Sequence, residues 1–175
     1  MSRRSILKSA LGALGALLAG GAARASGGGA SGAPAGGVEP LSLPLEAWRK
    51  RLTPEQYRVL FEEDTERPYS SPLEKEKREG TFVCAACHLP LFESSAKFES
   101  GTGWPSFLRP IEGHVATKRD FKLLLPRTEY HCARCGGHQG HVFNDGPPPT
   151  GQRWCNNGVA LRFVPAGEPL PPLVS

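Results

Sequence analysis

Two Cys-x-x-Cys pairs constrain this chain more than any other feature of its sequence. The pairs are Cys84/Cys87 and Cys132/Cys135, and 44 residues separate them. A Cys-x-x-Cys pair on a tight turn aims both sulfurs at one point, so two such turns can complete a tetrahedral thiolate shell for Zn²⁺, with Zn–S bonds of about 2.3 Å. Four protein ligands leave no open position for chemistry, and we therefore expect one structural zinc ion per chain. The long gap between the pairs also requires a β-sheet that brings the two turns together.

Other interpretations of these four cysteines remain open at the level of the sequence. Two disulfides are a serious alternative if the chain is exported to an oxidising compartment, and redox-active dithiols are another. His88 and His131 neighbour the pairs, and either imidazole could replace a sulfur ligand. Because four thiolates are available, we expect both imidazoles to lie at the surface or to form hydrogen bonds instead.

The fifth cysteine, Cys155, stands apart in the segment Arg153-Trp154-Cys155-Asn156-Asn157. A lone cysteine is most often an inert buried side chain, but a leftover thiol in an exported protein suggests a reactive group. Arg153 would lower the pKa of the thiol and favour the thiolate, which is the nucleophilic form. His138 and His141 could act as acid or base. In an extended segment they would point to opposite faces, so at most one need be catalytic unless a turn intervenes.

The excess of positive charge lies wholly within the first 25 residues. The chain has 21 Lys and Arg against 17 Asp and Glu, and four of the basic residues precede residue 26, where no acidic residue occurs. The remainder is therefore balanced, with 17 residues of each sign. This balance argues against binding of nucleic acid through net charge, since counterion release needs clustered cations.

Residues 1–25 are typical of an export signal. A basic start precedes an apolar run over about residues 6–19, and Ala23-Arg24-Ala25 offers small residues around a cleavage point. The run is too short and too rich in glycine for a bilayer span of about 20 apolar residues. Ser2-Arg3-Arg4-Ser5-Ile6 resembles the twin-arginine signal, whose route carries proteins that have already folded. We expect a bacterial periplasmic protein without stable membrane association after cleavage; a membrane anchor formed by an uncleaved signal is the second interpretation.

Beyond this segment the sequence predicts a linker, a helical flank and a mostly β domain. Residues 26–44 are rich in Gly, Ala, Ser and Pro, which is typical of a flexible linker. Thr53 and Pro54 indicate a helix start, and the apolar spacing predicts a helix to about residue 64, after a shorter one from residue 45. Apolar runs predict strands at 81–83, 115–117, 121–125, 129–131, 140–143 and 158–164. Residues 166–175 are rich in proline and are predicted to form a loose tail.

Several blocks of the sequence are similar, in order and spacing, to one enzyme family. They are Leu52-Thr53-Pro54-Glu55-Gln56-Tyr57, Thr65-Glu66-Arg67-Pro68-Tyr69, Ser100-Gly101-Thr102-Gly103-Trp104-Pro105-Ser106-Phe107, Gly140-His141-Val142-Phe143-Asn144-Asp145-Gly146-Pro147 and Arg153-Trp154-Cys155-Asn156-Asn157. The chain resembles the B-type methionine sulfoxide reductases over residues 45–165, with both Cys-x-x-Cys pairs in place. The resemblance implies two antiparallel sheets in a tent-like arrangement and a zinc site remote from the catalytic cysteine. It also implies reduction of the R epimer of methionine S-oxide in proteins and peptides.

The resemblance assigns roles to individual residues. It implies that Cys155 attacks the sulfoxide sulfur and becomes a sulfenic acid, while His141 protonates the departing oxygen. An ordinary histidine pKa of about 6.5 suits that task. Supporting roles fall to His138 and Asp145 beside His141, and to Arg153 and Asn157 beside the nucleophile. Trp104 and Phe143 would form the substrate pocket, with the Trp104 ring against the substrate methyl group; filling of the core is the alternative for Trp104.

One position departs from the pattern of many family members. Thr102 stands where they carry a second cysteine that attacks the sulfenic acid and forms a disulfide. With four cysteines assigned to the metal, no spare thiol remains in the chain. We therefore expect a one-cysteine enzyme whose Cys155 is regenerated by an external reductant, either a small thiol or a thioredoxin-like partner.

Two other classes of protein would also carry paired Cys-x-x-Cys turns on a β-sheet. One is a zinc-containing binding module in which Cys155 is incidental, and the other is a thiol enzyme that acts on a glutathione adduct. Neither accounts for the combined presence of His141, Arg153, Cys155 and Asn157. The reductase is therefore the preferred interpretation.

Overall fold

The computed structural model describes residues 37–121 and 126–175. The predicted export signal at residues 1–25 and most of the predicted linker at 26–44 lie outside the described residues. Those two features therefore stay predictions. The helices in the described part of the chain are too short and too polar for any of them to span a bilayer.

Two short helices form the N-terminal flank of the domain. Helix α1 spans Leu45–Arg51 and helix α2 spans Pro54–Glu62. Thr53 caps α2 through a reciprocal capping box. Its hydroxyl accepts a hydrogen bond from the Gln56 amide at 3.2 Å, and Gln56 Oε1 accepts one from the Thr53 amide at 3.1 Å. This pair satisfies two backbone donors that the first helical turn cannot satisfy itself.

Nine strands in the described residues form two antiparallel sheets. They are β1 Gly80–Cys84, β2 Pro90–Glu93, β3 Lys97–Phe98, β4 Ser106–Phe107, β5 Val115–Asp120, β6 Arg127–Cys132, β7 His138–Phe143, β8 Arg153–Asn156 and β9 Leu161–Pro165. The smaller sheet has the order β2-β1-β9, and the larger has the order β3-β4-β8-β7-β6-β5. All pairs of neighbouring strands are antiparallel. The predicted class, mostly β with two antiparallel sheets and a short helical flank, is confirmed.

The predicted strands differ from the observed ones mainly at their ends. In the predicted strand at 121–125, Phe121 follows β5 without strand structure, and residues 122–125 lie outside the described residues. The predicted strand at 158–164 begins instead with a 3₁₀ turn, Gly158–Ala160, before β9. Strands β2, β3, β4 and β8 have no counterpart in the prediction. They are only two to four residues long, which is too short for a clear alternation of apolar and polar residues.

A cluster of aromatic rings joins the two sheets. Phe82 of β1 and Phe92 of β2 pack against Phe107 of β4, with ring centroids 5.0 and 4.1 Å from the Phe107 ring. Tyr130 of β6 packs edge-on against Phe92 at 6.1 Å. All four side chains are fully buried. Because they come from both sheets, burial of their rings fixes one sheet against the other.

Segments at both ends of the domain contact the two Cys-x-x-Cys turns. The Leu41 amide donates to the carbonyl of Arg134 at 2.6 Å, and the Val174 amide donates to the carbonyl of Cys87 at 3.2 Å. Residues 166–175 contain no strand or helix, but Val174 also packs against the hydrophobic core. The segment predicted to be a loose tail is therefore anchored near its end.

Candidate active site

The four cysteines of the Cys-x-x-Cys pairs meet in one cluster. Their sulfur atoms all lie within 4.8 Å of one another. Cys84 Sγ is 3.7 Å from Cys135 Sγ, and Cys87 Sγ is 3.5 Å from Cys132 Sγ. A tetrahedral shell with metal–sulfur bonds of about 2.3 Å separates its sulfurs by roughly 3.8 Å, whereas a disulfide requires about 2.05 Å. The spacing therefore fits a metal ion, and the four sulfurs form no disulfide.

The two cysteine turns share one backbone geometry. In each turn, the residue four positions after the first cysteine donates its amide hydrogen to that cysteine's carbonyl at 2.9 Å. These residues are His88 and Gly136, and both have a positive φ, of 65° and 72°. The His88 side chain forms a hydrogen bond with the carbonyl of Pro172 through Nδ1, at 2.9 Å. Neither His88 nor His131 belongs to the group of four sulfurs.

The cluster connects the two sheets. The first pair lies on the turn between β1 and β2 of the smaller sheet, and the second lies on the turn between β6 and β7 of the larger sheet. A metal bound there would join hairpins that come from different sheets. This placement supports a structural role.

Cys155 lies within the six-stranded sheet. It belongs to β8 and pairs with His141 of β7 on one side and with Ser106 of β4 on the other. A side chain at Gly140 would overlap the carbonyl oxygen of Cys155, so this glycine allows β7 to approach β8. The predicted nucleophile and the predicted acid are thus neighbours across adjacent strands.

A cavity of about 130 Å³ adjoins Cys155. Its walls are formed by Thr65, Trp104, Arg127, Gly140, His141, Phe143, Cys155, Asn156 and Asn157. Five residues that sequence analysis assigns to the site therefore share one cavity: Cys155, His141, Asn157, Trp104 and Phe143. Trp104 lines the cavity, so filling of the core does not describe its position.

Arg153 is held beside the nucleophile by Asp145 and Phe143. Its Nε and Nη2 donate to the two carboxylate oxygens of Asp145, each at 2.9 Å, and its guanidinium lies 4.4 Å from the centre of the Phe143 ring. Burial raises the pKa of Cys155, while the charge of Arg153 and hydrogen bonds from Arg153 and Thr102 lower it. Arg153 therefore acts in the predicted direction, but burial is the larger effect and the pKa of Cys155 is raised overall.

His141 is held by an aspartate that sequence analysis does not identify. His141 Nε2 lies 2.8 Å from Asp120 Oδ2, and Arg127 Nη2 donates to the same oxygen at 2.6 Å. Burial lowers the pKa of His141, and the hydrogen bond to Asp120 opposes that shift. Asp145 pairs instead with Arg153, and the carboxylate that contacts His141 is that of Asp120. A supporting role of Asp145 in the reaction stays a prediction.

A β-bulge places His138 and His141 close together. Gly140 pairs with Tyr130 and His138 pairs with His131, which leaves Gln139 as an extra residue in β7. The extra residue breaks the two-residue alternation, and the two imidazole rings lie 5.5 Å apart. The expectation of opposite faces applies to a regular extended segment, and the bulge breaks that regularity between the two histidines.

His138 lies deeper than His141. It is buried, and its Nδ1 lies 2.8 Å from Glu129 Oε1. Lys118 also contacts this carboxylate, at 3.0 Å. The His138 ring thus packs against the His141 ring from a more buried position, and the contact with Glu129 fixes it there.

Asn157 and Trp104 are fixed by contacts to the backbone. Asn157 Oδ1 accepts a hydrogen bond from the Glu66 amide at 3.1 Å, and its Nδ2 donates to the carbonyl of Gln139 at 3.0 Å. Trp104 Nε1 donates to the carbonyl of Glu66 at 3.2 Å. Since Nδ2 carries two hydrogens, Asn157 keeps one donor beyond the Gln139 contact.

Several residues of the site carry no sequence signal of their own. Strands β5 and β6 carry one acidic residue each, Asp120 and Glu129. Only the register in which β5, β6 and β7 pair brings these carboxylates to His141 and His138. Glu66 lies in a block that resembles the family, but the block does not indicate that this carboxylate is buried. Thr65, in the same block, forms part of the cavity wall.

The site places a thiol beside an imidazole and a guanidinium, in a small cavity with aromatic walls. Such a thiol can attack an electrophilic atom, and the imidazole can protonate the group that leaves. Fold and site together therefore define a thiol-dependent enzyme on a two-sheet β domain. The model of the SelR domain matches residues 52–165 of this chain. The chain belongs to the SelR-domain family, the B-type methionine sulfoxide reductases.

Curated relatives cover the same region. The peptide methionine sulfoxide reductase MsrB of Bradyrhizobium diazoefficiens is 55% identical over 121 residues, which are 69% of this chain and 87% of the relative. The protein of the same name from Leptospira interrogans is 52% identical over 119 residues, 67% of this chain and 91% of the relative. The one from Methanosarcina barkeri is 54% identical over 119 residues, 67% of this chain and 84% of the relative.

Proposed function

We propose that this protein reduces the R epimer of methionine S-oxide in proteins and peptides, with Cys155 as the nucleophile. The observation that carries the proposal is the shared cavity, in which Cys155 and His141 face the same space as Trp104 and Phe143. Its volume of about 130 Å³ suits one side chain, since sites for larger ligands usually exceed about 300 Å³. A glutathione adduct is therefore a poor fit, and a binding module has no use for the paired thiol and imidazole.

The first step transfers oxygen from the substrate to the enzyme. The Cys155 thiolate attacks the electrophilic sulfur of the sulfoxide, and the oxygen is protonated. The sulfur is reduced to the thioether of methionine, while Cys155 is oxidised to a sulfenic acid that carries the oxygen. One thiol and one sulfoxide thus give one thioether and one sulfenic acid.

His141 supplies the proton to the oxygen. The contact with Asp120 favours a proton on Nε2, so Nδ1 is the nitrogen that takes up and releases the catalytic proton. The Asp120 carboxylate stabilises the imidazolium form against the burial that lowers the pKa of His141. Asn157 offers its remaining Nδ2 hydrogen to the same oxygen.

Arg153 stabilises the thiolate before the attack. Its charge opposes the effect of burial on the Cys155 pKa, and Asp145 holds the guanidinium in place through two hydrogen bonds. Trp104 and Phe143 provide apolar walls against which the substrate methyl group packs.

A second part of the proposal is that Cys155 is regenerated by an external thiol. The chain has five cysteines, and four of them form the cluster. A small thiol or a thioredoxin-like protein would attack the sulfenic acid, releasing water and forming a mixed disulfide. A second thiol would then reduce that disulfide and restore Cys155.

The four-cysteine cluster fits zinc. Four sulfur ligands at near-tetrahedral spacing are the donor set that zinc prefers in structural sites. Cys84, Cys87, Cys132 and Cys135 would hold the ion, which would contribute structural stability and take no part in the reduction.

We also propose that the protein is exported to the periplasm by the twin-arginine route, from the sequence of residues 1–25 alone. Replacing Arg3 and Arg4 by Lys should retain the precursor in the cytoplasm, and N-terminal sequencing of the exported form should begin at Ser26. Export that survives the double substitution would exclude this route.

The one-cysteine mechanism is tested by trapping the sulfenic acid. Protein treated with one equivalent of R-sulfoxide and dimedone, without thiol, should carry a dimedone adduct on Cys155 in mass spectrometry. Thr102→Cys should lose that adduct and form a disulfide, provided the loop brings the two Cα atoms within about 7 Å. A disulfide between Cys155 and a cluster cysteine in the wild type, with release of metal, would contradict the mechanism.

A further inference from the structure

Glu66 is a buried carboxylate next to the cavity, and it has no role in the proposed reaction. It is 5% exposed. Its two carboxylate oxygens accept hydrogen bonds from consecutive backbone amides, from Gly158 to Oε1 at 2.6 Å and from Val159 to Oε2 at 2.8 Å. These amides begin the 3₁₀ turn that follows directly after Asn157. Hydrogen bonds from amides to a charged, buried acceptor are among the stronger contacts in a protein.

The main chain of the same residue contacts two side chains of the cavity wall. The Glu66 amide donates to Asn157 Oδ1 at 3.1 Å, and the Glu66 carbonyl accepts from Trp104 Nε1 at 3.2 Å. One residue therefore contacts Trp104, Asn157 and the turn after the strand that carries Cys155.

The loop that contains Glu66 packs tightly against this turn. A side chain at Gly158 would overlap Ser71 and would approach Glu66 Oε1 at 3.3 Å. Burial raises the pKa of Glu66, whereas the two backbone amides lower it. A carboxylate with both oxygens engaged has little freedom to move, so its position fixes the position of its own main chain.

We propose that Glu66 is a positioning residue, which sets the distance between Trp104 and the end of the Cys155 strand and so shapes the pocket for the substrate methyl group. The inference rests on the proposed function for its consequence in catalysis. Its structural part, the link from the carboxylate to Trp104, does not depend on the reaction.

The kinetic test compares Glu66→Gln with the wild type in thiol-free single turnovers over a range of R-sulfoxide concentrations. The amide of Gln keeps the shape but directs an N–H group at one of the two backbone donors, so residue 66 must shift. Trp104 would contact the methyl group both in the bound substrate and during the attack. Loss of a contact that both states share raises the substrate concentration at half-saturation more than it changes the limiting rate. We expect half-saturation to rise about tenfold and the limiting rate to fall less than about threefold.

Glu74→Gln is the matched control. Glu74 is also buried, at 6% exposure, and its main-chain carbonyl accepts a hydrogen bond from Lys97 Nζ at 2.6 Å. We expect its kinetics to equal those of the wild type. An equal change in both variants would assign the effect to general loss of stability and would overturn the proposal.

A second readout does not require activity. In ¹H–¹⁵N spectra, the Trp104 indole signal should shift in Glu66→Gln, while the Trp154 indole, which donates to Gln152 Oε1 at 3.2 Å, should stay in place. A shifted Trp104 signal without any turnover in the wild type would keep the structural link and reject the reductase function. An unmoved signal together with unchanged half-saturation would overturn the proposal.

Glu66→Asp is the second variant if Glu66→Gln does not fold. The shorter acid keeps the charge and should show the same changes to a smaller extent. Loss of folding in both variants would assign Glu66 to the stability of the domain and overturn the positioning role.

Discussion

Thr102 belongs to a chain of hydroxyl groups beside the nucleophile. Ser100 Oγ lies 2.8 Å from Thr102 Oγ1 and 2.8 Å from Ser106 Oγ, and the Ser106 hydroxyl also contacts the carbonyl of Trp104 at 3.2 Å. Thr102 forms a hydrogen bond that lowers the pKa of Cys155. A hydroxyl chain can reverse its direction of donation, so it can serve both the thiol and the thiolate. Thr102, which stands where many family members carry a second cysteine, thus supports the nucleophilic cysteine, Cys155.

Thr102→Val should make Cys155 less reactive at neutral pH. The valine methyl group replaces the hydroxyl, so the thiolate loses a donor, the pKa of Cys155 rises and a smaller fraction is ionised. Alkylation by iodoacetamide at pH 7 should slow by about three- to tenfold, the equivalent of one hydrogen bond. Thr102→Ser keeps the hydroxyl and is the control, with an expected rate near that of the wild type. Equal rates in all three proteins would show that the hydroxyl does not act on the thiol.

The residues that carry the chemistry could be predicted from the sequence, but the residues that hold them in place could not. Cys155, His141 and Trp104 lie in blocks that resemble the family, and the structure brings them to one cavity. Asp145 and Asp120 show what could not be predicted from the sequence. Both are aspartates near the histidine segment, and only the three-dimensional register determines that Asp145 binds Arg153 while Asp120 binds His141.

At the scale of the elements, the bulge in β7 connects the cysteine cluster to the catalytic strand. The bulged residue, Gln139, is fully buried; its Nε2 donates to Cys84 Sγ at 3.5 Å, and its Oε1 accepts from Asn156 Nδ2 at 3.3 Å. Asn156 Oδ1 in turn accepts from the Tyr130 hydroxyl at 2.7 Å. Buried amides in a core stabilise the fold only if their partners are present.

Gln139 and Asn156 should therefore be energetically coupled. Gln139→Leu removes one acceptor of Asn156 Nδ2, and Asn156→Leu removes the donor to Gln139 Oε1, although each amide keeps its other partners. Either variant alone therefore loses a buried hydrogen bond and should lower the free energy of unfolding by about 1–3 kcal/mol. The double variant should lose less than the sum of the two, by at least about 1 kcal/mol. The measurement is urea unfolding of the metal-loaded wild type, the two single variants and the double variant, which together form a double-mutant cycle. Additivity within about 0.5 kcal/mol would mean that the two amides act independently.

Element boundaries show what local patterns can and cannot predict. Thr53 and Pro54 are a local signal, and they predict the start of α2 correctly. The bulge is different, because no residue type requires it in Gly137-His138-Gln139-Gly140. It arises from the pairing of β7 with β6, so the side to which His138 points could not be derived from alternation alone.

At the scale of the whole molecule, two groups of side chains within residues 37–121 and 126–175 link the sheets. One is the aromatic cluster around Phe107, and the other is the group of four cysteines on the β1–β2 and β6–β7 turns. The contacts from Leu41 and Val174 add a segment from each end of the domain to these turns. The sequence spacing predicts the cluster, whereas the anchoring of both ends depends on contacts that composition does not reveal.

Removal of the metal should unfold the domain. Without the ion, the four cysteine sulfurs, three of them on buried residues, remain at contact distance with no charge to balance their thiolates, and binding energy at such sites is folding energy. Protein purified without chelator should contain one zinc per chain by elemental analysis, and a strong chelator should abolish its near-ultraviolet circular dichroism. The Cys155→Ser variant is a control that should bind the metal equally well. Five free thiols after denaturation of a protein in which no metal was found beforehand would contradict this role.

The most direct test of the account is reduction of the two separated epimers of a methionine sulfoxide peptide, with dithiothreitol as reductant. The wild type should convert the R epimer to methionine and leave the S epimer unchanged. Cys155→Ser, with its metal content intact, should reduce neither. Reduction of the S epimer at a comparable rate, or activity that survives in Cys155→Ser, would contradict the account.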